Sequence, residues 1–503
     1  MHRREFFSQG AAWLTATAGL QLAGCQLKPA LPEAADWQAL QRSFQGQLLF
    51  PANALFSRFA KAANSRFDAI QPALIARPKL AADVQLVLAF ARQFQLPLVG
   101  RCGGHNYAGY SCTPGILLDF ALMDQIELQG ETAWVGAGAK LGDLYFQLSQ
   151  QGRSIPAGSC VGVGISGLTL GGGMGMADRK YGLTCDALLE AELVTVDGAV
   201  LRCSEQQNPE LFWGLRGGGG GQFGLVTRLQ FRTFPTAEVL SCHAYFQFEQ
   251  ALPVLNLWQH WSRQLPRELW SQAAFWWTED QRKAPVLQIR VSSLGATKEL
   301  QQQWATWLRR LPAQPFEQDV VLHDYAEYML SDCAGLEMAQ CKLPHQSEQA
   351  RLRRVAMAGS SDFFRGAMPK AGLDALLDAV RQRQQQGHSG GILLTLMGGA
   401  IRDLAHDDTA FAHRAADFCA QYLVSRPVGT AEKELQQADL WMGQMRRTMA
   451  PWSTGGAYLN YTDPLLSNWP QAYYADHYPR LQRLKRQYDP GSVLQFSQSI
   501  KED

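Results

Sequence analysis

His105 stands inside the run Arg101-Cys102-Gly103-Gly104-His105-Asn106-Tyr107-Ala108-Gly109-Tyr110-Ser111, directly after a short apolar stretch at 96–100. A glycine-dense turn bares successive backbone N–H groups, which form a nest for an anion such as a pyrophosphate. An imidazole in that nest sits where a ligand would lie. A second glycine cluster at 158–175 carries Cys160 and the pattern Gly162-Val163-Gly164-Ile165-Ser166-Gly167, and a third, 213–224, contains five consecutive glycines. The GxGxxG spacing marks a Rossmann site only where a strand leads in, a helix follows and a ribose-binding acid stands about 20 residues on. Here Leu168 to Leu170 lead into Gly171-Gly172-Gly173 instead, so the match is weak. Three clusters in one region suit an extended dinucleotide lying along backbone better than a single phosphate loop. There is no CxxC pair and no Cys/His cluster with zinc spacing, so no metal is expected.

These residues need elements to position them. A helix is predicted at 80–94, strands at 96–100, 116–120 and 134–138, a helix at 141–151, a hairpin turning at Asp197-Gly198 within 193–203, and a strand at 225–234. After Thr236 the character changes to Trp- and Gln-rich helices and longer strands such as 286–291 and 391–397. From Pro451 the sequence is again aromatic and turn-rich. We read a cofactor lobe, an inserted substrate lobe and a C-terminal return to the first, with 503 residues ample for two to four cores. The 14 tryptophans fit packed core better than sugar-stacking platforms. With 46 Lys+Arg against 45 Asp+Glu, a nucleic-acid partner is not expected, and a small, neutral one is.

The N-terminus reads as processing information. Arg3 and Arg4, an apolar stretch at 11–23 and Leu22-Ala23-Gly24-Cys25 resemble a twin-arginine export signal ending in a lipoprotein box. The apolar stretch is short for a spanning helix. The expectation is therefore an exported chain, lipid-anchored through Cys25 in a bacterial envelope, in the periplasm or at the outer membrane. Ten cysteines suit such a chain, and Cys333 and Cys341 are spaced for a local bridge.

The segments RCGGHNYAGYS, SCVGVGISGLTLGGGMG, RKYGL, NPELFWGLRGGGGGQFG, YLNYTD and YDPGSVLQFSQSI resemble, in order, those of the berberine-bridge-enzyme-like FAD-linked oxidases, of the vanillyl-alcohol-oxidase type. The resemblance runs from about 50 to 500. It implies an α+β fold, a PCMH-type FAD-binding domain of two subdomains with an inserted substrate domain of antiparallel sheet plus helices. The corresponding bounds are 1–25 for the signal, 26–48 for tether and lead-in, 49–237 for the FAD-binding domain, 238–450 for the substrate domain and 451–503 for the return. It further implies covalent, bicovalent FAD: His105 bonded to the flavin 8α-methyl group and Cys160 to flavin C6. The family's usual proline after that cysteine is replaced by Val161. Arg101, Gly103, Gly104, Asn106, Gly164, Gly167, Leu168, Gly171, Gly172 and Gly173 fall at cofactor-binding positions, and Val163 at the position that governs oxygen access.

In the family a hydride leaves a substrate carbon for flavin N5 while a base takes the hydroxyl proton. Tyr107, Tyr458 and Tyr461 are the candidate bases, with Asn460 orienting substrate or flavin. Met174 stands where plant relatives carry a tyrosine, which points toward the oligosaccharide-oxidase-like branch. The implied function is an oxidase acting on a hydroxyl- or amine-bearing carbon of a carbohydrate or secondary-metabolite-like small molecule, with O2 reduced to peroxide. The alternatives are a membrane-anchored dehydrogenase serving a quinone or carrier, and a non-catalytic flavin-binding lipoprotein. The sequence leaves oligomeric state open.

Overall fold

The computed structural model describes residues 31–502. Arg3, Arg4, the apolar stretch after them and Cys25, on which export and anchoring rest, lie outside the described residues. Within the stretch expected as tether and lead-in, Ala34–Ser43 forms a helix. Trp37, Leu40 and Phe44 recur at helical spacing and give it one apolar face. Leu40 and Phe44 are buried with Val84, Leu88 and Phe94, and the Trp37 ring packs 4.6 Å from that of Phe90. This part of the lead-in is thereby packed into the first lobe.

Two larger sheets and a two-stranded pair, Arg153–Ser154 with Phe234–Pro235, make up that lobe. The first has the order Gln47–Leu49, Leu74–Arg77, Ile116–Asp119, Leu98–Arg101, with the last three strands parallel. Helix Ala81–Gln93 covers it through Val84, Val87 and Leu88. Strand Leu98–Arg101 lies slightly later than predicted, so the His105 turn springs from the C-terminal end of a parallel strand, where ligands of such sheets gather. The second sheet is antiparallel, in the order Ile126–Gln129, Thr132–Gly136, Leu225–Arg232, Leu188–Val194, Val200–Ser204. The predicted hairpin joins its last two strands, with Gly198 at φ +93°. The weak GxGxxG match opens onto a short helix, Ile165–Leu170, with no strand leading directly into it.

The inserted lobe is a seven-stranded antiparallel sheet, Glu317–His323, Val239–Gln247, Val286–Leu294, Leu269–Trp277, Gly390–Leu396, Phe418–Arg426, Ala356–Phe364. Alternate residues of a strand face opposite sides. One set, including Phe246, Phe275, Ile289 and Leu394, packs with Trp258, Trp261, Trp304, Trp307 and Trp441 from the covering helices. The other set faces the first lobe. Most of the tryptophans between 258 and 307 are thus core, and Trp276, 46% exposed, is the exception.

Two excursions carry this lobe back onto the first. One, around 325–355, contains the Cys333–Cys341 disulfide with its Cα atoms 5.2 Å apart, the Lys342–Asp143 ion pair and Arg354, which donates to the Ala62 carbonyl at 2.6 Å. The other, 399–417, lies against helix Pro209–Leu215: Trp213 Nε1 donates to the Asp407 carbonyl at 2.8 Å. The C-terminal return packs Tyr473, Tyr474, Leu481 and Leu484 into the first lobe's core. The fold is mixed α+β, as the resemblance implied.

Candidate active site

A cavity of about 880 Å³ lies between the glycine turns of the first lobe and the open face of the seven-stranded sheet. Its floor is built from the two turns that carry His105 and Cys160. They are pressed together: a Cβ at Gly103 would stand 2.3 Å from the Gly164 amide nitrogen, and one at Gly164 would stand 2.2 Å from Cys102 Sγ. Only glycine permits that approach. Among the described residues, the N–H groups of Gly103, Gly104, His105 and Asn106 have no hydrogen-bond partner. Four successive donors of the turn are thus left open, as an anion nest requires. Asn106 shapes it, its Oδ1 accepting from the Ala108 and Tyr110 N–H groups at 3.0 and 3.1 Å.

Arg101 is buried beneath the turn, where its guanidinium donates to Asp119 Oδ2 at 2.8 Å and to the carbonyls of Phe59 and Lys61. It braces the turn from below. His105 Nε2 is sealed against the Gly162 backbone, outside good hydrogen-bond geometry, which leaves Nδ1 as the open nitrogen. Burial lowers this imidazole to about 4; the Gly162 backbone opposes the shift and the Lys140 charge adds to it, so the ring is neutral at neutral pH. The Cys160 side chain is open to the cavity. Enclosure, and secondarily the charge of Asp332, pushes its thiol up.

Gly167 and Leu168 line the cavity, and a Cβ at Gly167 would meet nothing within 4 Å. Gly171, Gly172 and Gly173, expected to bind cofactor, do not line it. Their missing side chains make room for protein: added Cβ atoms would strike Asn460, Phe411 and Thr184 at 2.1, 2.9 and 2.1 Å.

The tyrosines form one group. The rings of Tyr107 and Tyr461 are stacked with centroids 6.1 Å apart, and Tyr458 meets Tyr461 edge-on at 4.9 Å. Tyr458 Oη accepts from the Gly173 and Met174 N–H groups and from Asn460 Nδ2, at 2.9, 3.1 and 2.9 Å. Asn460 Nδ2 also donates to the Leu168 carbonyl at 3.0 Å. Together these two tie the return segment to the glycine turn. Tyr107 Oη accepts from Gln421 Nε2 at 2.8 Å. Among the described residues, the Tyr461 hydroxyl has no hydrogen-bond partner. Burial pushes all three phenols up.

Several site residues escaped the sequence reading. His345 Nε2 lies 3.0 Å from the Gly103 carbonyl, and Gln346 Nε2 donates to the Gly162 carbonyl at 2.7 Å. The sheet contributes a polar and aromatic ceiling of Ser241, His243, Trp270, Gln272, Trp276 and Arg290. Its only signal was strand alternation, which does not say what the polar side faces.

Residues 72–204 match the FAD binding domain family model and 457–501 the berberine and berberine-like one. An uncharacterized FAD-linked oxidoreductase of Bacillus subtilis (strain 168) is 30% identical over 425 residues, 83% of this chain and 88% of that one. The chain belongs to the berberine-bridge-enzyme-like FAD-linked oxidoreductases. The solved structure of BBE-like 1 from Physcomitrella patens superposes on this oxidoreductase with a TM-score of 0.82 at 27% identity, covering 93% of this chain and 99% of that one. A chitooligosaccharide oxidase structure has the same fold, with a TM-score of 0.81 at 23% identity, covering 93% and 99%.

The oxidoreductase's own residues fit FAD. The unpartnered N–H groups of the His105 turn suit its pyrophosphate. A buried polar atom without a partner, Ser111 Oγ, belongs to a cavity-lining residue. Gly167 and Gly221 leave open space where a flat or extended group can lie against backbone.

Proposed function

We propose that this FAD-linked oxidoreductase is an oxidase that removes hydride from a hydroxyl- or amine-bearing carbon of a carbohydrate or secondary-metabolite-like molecule. Bound FAD supplies the hydride acceptor and the route of the electrons to O2. The observation that carries this reading is the unpartnered Tyr461 hydroxyl in a cavity that joins the glycine turns to the polar sheet face. As the C–H bond breaks, the substrate hydroxyl proton passes to the phenolate form of Tyr461, whose own proton has first left to solvent. Tyr107, held by Gln421, flanks the base and positions the substrate, while Trp276 offers a face for an apolar or ring surface.

The attachment of FAD is covalent on this reading, through His105 and Cys160, whose side chains both open onto the cavity. A neutral imidazole is the nucleophilic form, and that is the form burial favours for His105. Acid-precipitated protein should stay yellow. His105→Ala and Cys160→Ala should each retain flavin through the remaining link, and the double variant should release it all. Complete release from the unaltered protein would refute covalent attachment.

Val163 decides between oxidase and dehydrogenase. Its residue lines the cavity, and its N–H donates to the Cys160 carbonyl at 3.1 Å, which fixes it beside the second link. Packed walls respond to one added methylene. Val163→Leu should slow reoxidation of the reduced enzyme by O2 about tenfold, equivalent to ~1.4 kcal/mol on the barrier, and leave reduction by substrate nearly unchanged. Stopped-flow absorbance of the two half-reactions measures both. Reduced unaltered enzyme that persists for minutes in air-saturated buffer would favour the dehydrogenase.

A further inference from the structure

His406 and Asp407, on the 399–417 excursion, meet His477 at the head of the final helix, and one ligand-capable atom from each lies within 4.8 Å of the others. We propose that these three residues form a binding site for a divalent transition cation, zinc above all, that clasps the inserted lobe to the C-terminal return. No metal is expected from the sequence, because zinc ligands usually announce themselves by close spacing along the chain. Here the elements that meet are 70 residues apart.

The geometry at His477 carries the argument. Its side chain is 5% exposed. Nδ1 lies 3.3 Å from the Ala410 carbonyl, and Nε2 lies 3.2 Å from Asp407 Oδ1. A carbonyl can only accept, so Nδ1 carries a proton. That leaves Nε2 turned to the Asp407 carboxylate oxygen, 3.2 Å away, the placement of two neighbouring ligands around one cation. A backbone carbonyl that fixes the tautomer of a histidine is also the usual outer support of a metal ligand. The second imidazole strengthens the case: its ring centroid lies 4.3 Å from that of His477. His406 Nε2 is 4.0 Å from Asp407 Oδ1 and 2.9 Å from Asp476 Oδ1. With metal–nitrogen bonds of about 2.0–2.1 Å, neighbouring ligands of a tetrahedral zinc ion stand about 3.3–3.5 Å apart. The separations observed bracket that spacing, so small rotations of exposed side chains close the site. Two imidazoles with carboxylate suit zinc over magnesium or calcium, which take oxygen ligands.

The position gives the ion a consequence. The peptide carbonyls of Asp407 and Asp408 accept from Trp213 Nε1 and the Arg216 guanidinium at 2.8 and 3.0 Å, and Arg216 leads into the five-glycine run, of which Gly219, Gly220 and Gly221 line the cavity. A cation here would staple the outer wall of the cofactor groove without touching the chemistry.

The rival for the bridge is a proton, and the experiment separates the two. Tag-free, flavin-loaded protein is stripped with chelator, dialysed and titrated at pH 8 with zinc in a calorimeter, and its thermal unfolding is followed with zinc or with magnesium. One zinc should bind, and zinc alone should raise the unfolding midpoint. His406→Ala, an exposed and non-catalytic position, should weaken zinc binding by at least about tenfold while leaving the flavin spectrum and the zinc-free midpoint unchanged. Absence of binding at pH 8, or equal zinc affinity in the protein and in His406→Ala, would overturn the site and leave the proton as the bridge.

Discussion

Tyr461→Phe is expected to lower kcat by about 10²–10⁴-fold, the range for loss of a positioned general base, while FAD stays bound. The phenyl ring keeps the stacking against Tyr107 and the edge contact with Tyr458, so only the hydroxyl is lost. Tyr458→Phe should instead loosen the Gly173 and Met174 turn, because its oxygen is already committed to three donors. The pH dependence tells the roles apart. Burial first, and then the neighbouring Cys419, Tyr107 and Tyr458, push the Tyr461 phenol well above its usual value. Its basic form is therefore scarce at neutral pH and grows about tenfold for each pH unit. The unaltered enzyme should gain kcat/KM with rising pH between about 6 and 9, and Tyr461→Phe should lose that slope. A variant that keeps both rate and slope would remove Tyr461 as the base.

Lys485→Ala is expected to cost about 3–5 kcal/mol of stability, the usual penalty for breaking a buried ion pair from one side. Lys485 and Asp489 are both fully buried. The ammonium also donates to the carbonyls of Gln222 and Leu494 at 3.0 and 2.7 Å, and Asp489 accepts from the N–H groups of Val493 and Leu494 at 2.8 and 3.0 Å. Burial pulls the lysine down and the aspartate up, and each partner opposes the shift of the other. Removing the lysine strands a carboxylate in the core and frees 494–498, part of the cavity wall. Denaturant unfolding followed by tryptophan fluorescence should show the loss, and flavin retention should fall with it. Lys485→Met combined with Asp489→Asn, which leaves no buried charge, should recover part of the stability. A single variant as stable as the parent would show that the pair does not hold the return in place.

What could be read from the sequence was local. The His105 turn is legible because its glycines are consecutive and follow an apolar strand, and both signals lie within about a dozen residues. The hairpin at Asp197-Gly198 and the helix after residue 80 are legible for the same reason. Gly171–Gly173 show the limit. Glycine serves close approach to a ligand and close approach of backbone to protein equally well, and only the placement of Asn460, Phe411 and Thr184 shows that the second applies. His345 and Gln346 carry no local signature because their meaning is contact with Gly103 and Gly162, 242 and 184 residues away. The tyrosines could be named from their neighbours in sequence, but their division of labour rests on hydrogen bonds from segments hundreds of residues distant.

The dependence of the cavity on distant segments also sets an order of events during folding. Its floor comes from residues near 103 and 162, one wall from 343–346 and another from 494–498. Closing loops of that length requires ordering much chain before any contact rewards it. The first lobe can form its sheets early, yet the chamber exists only once the final helix has docked. A ligand that fits only the finished chamber stabilises the native state and no partly folded one. A chain truncated before its last thirty or so residues would lack part of the wall around the cofactor groove and should hold the flavin less firmly.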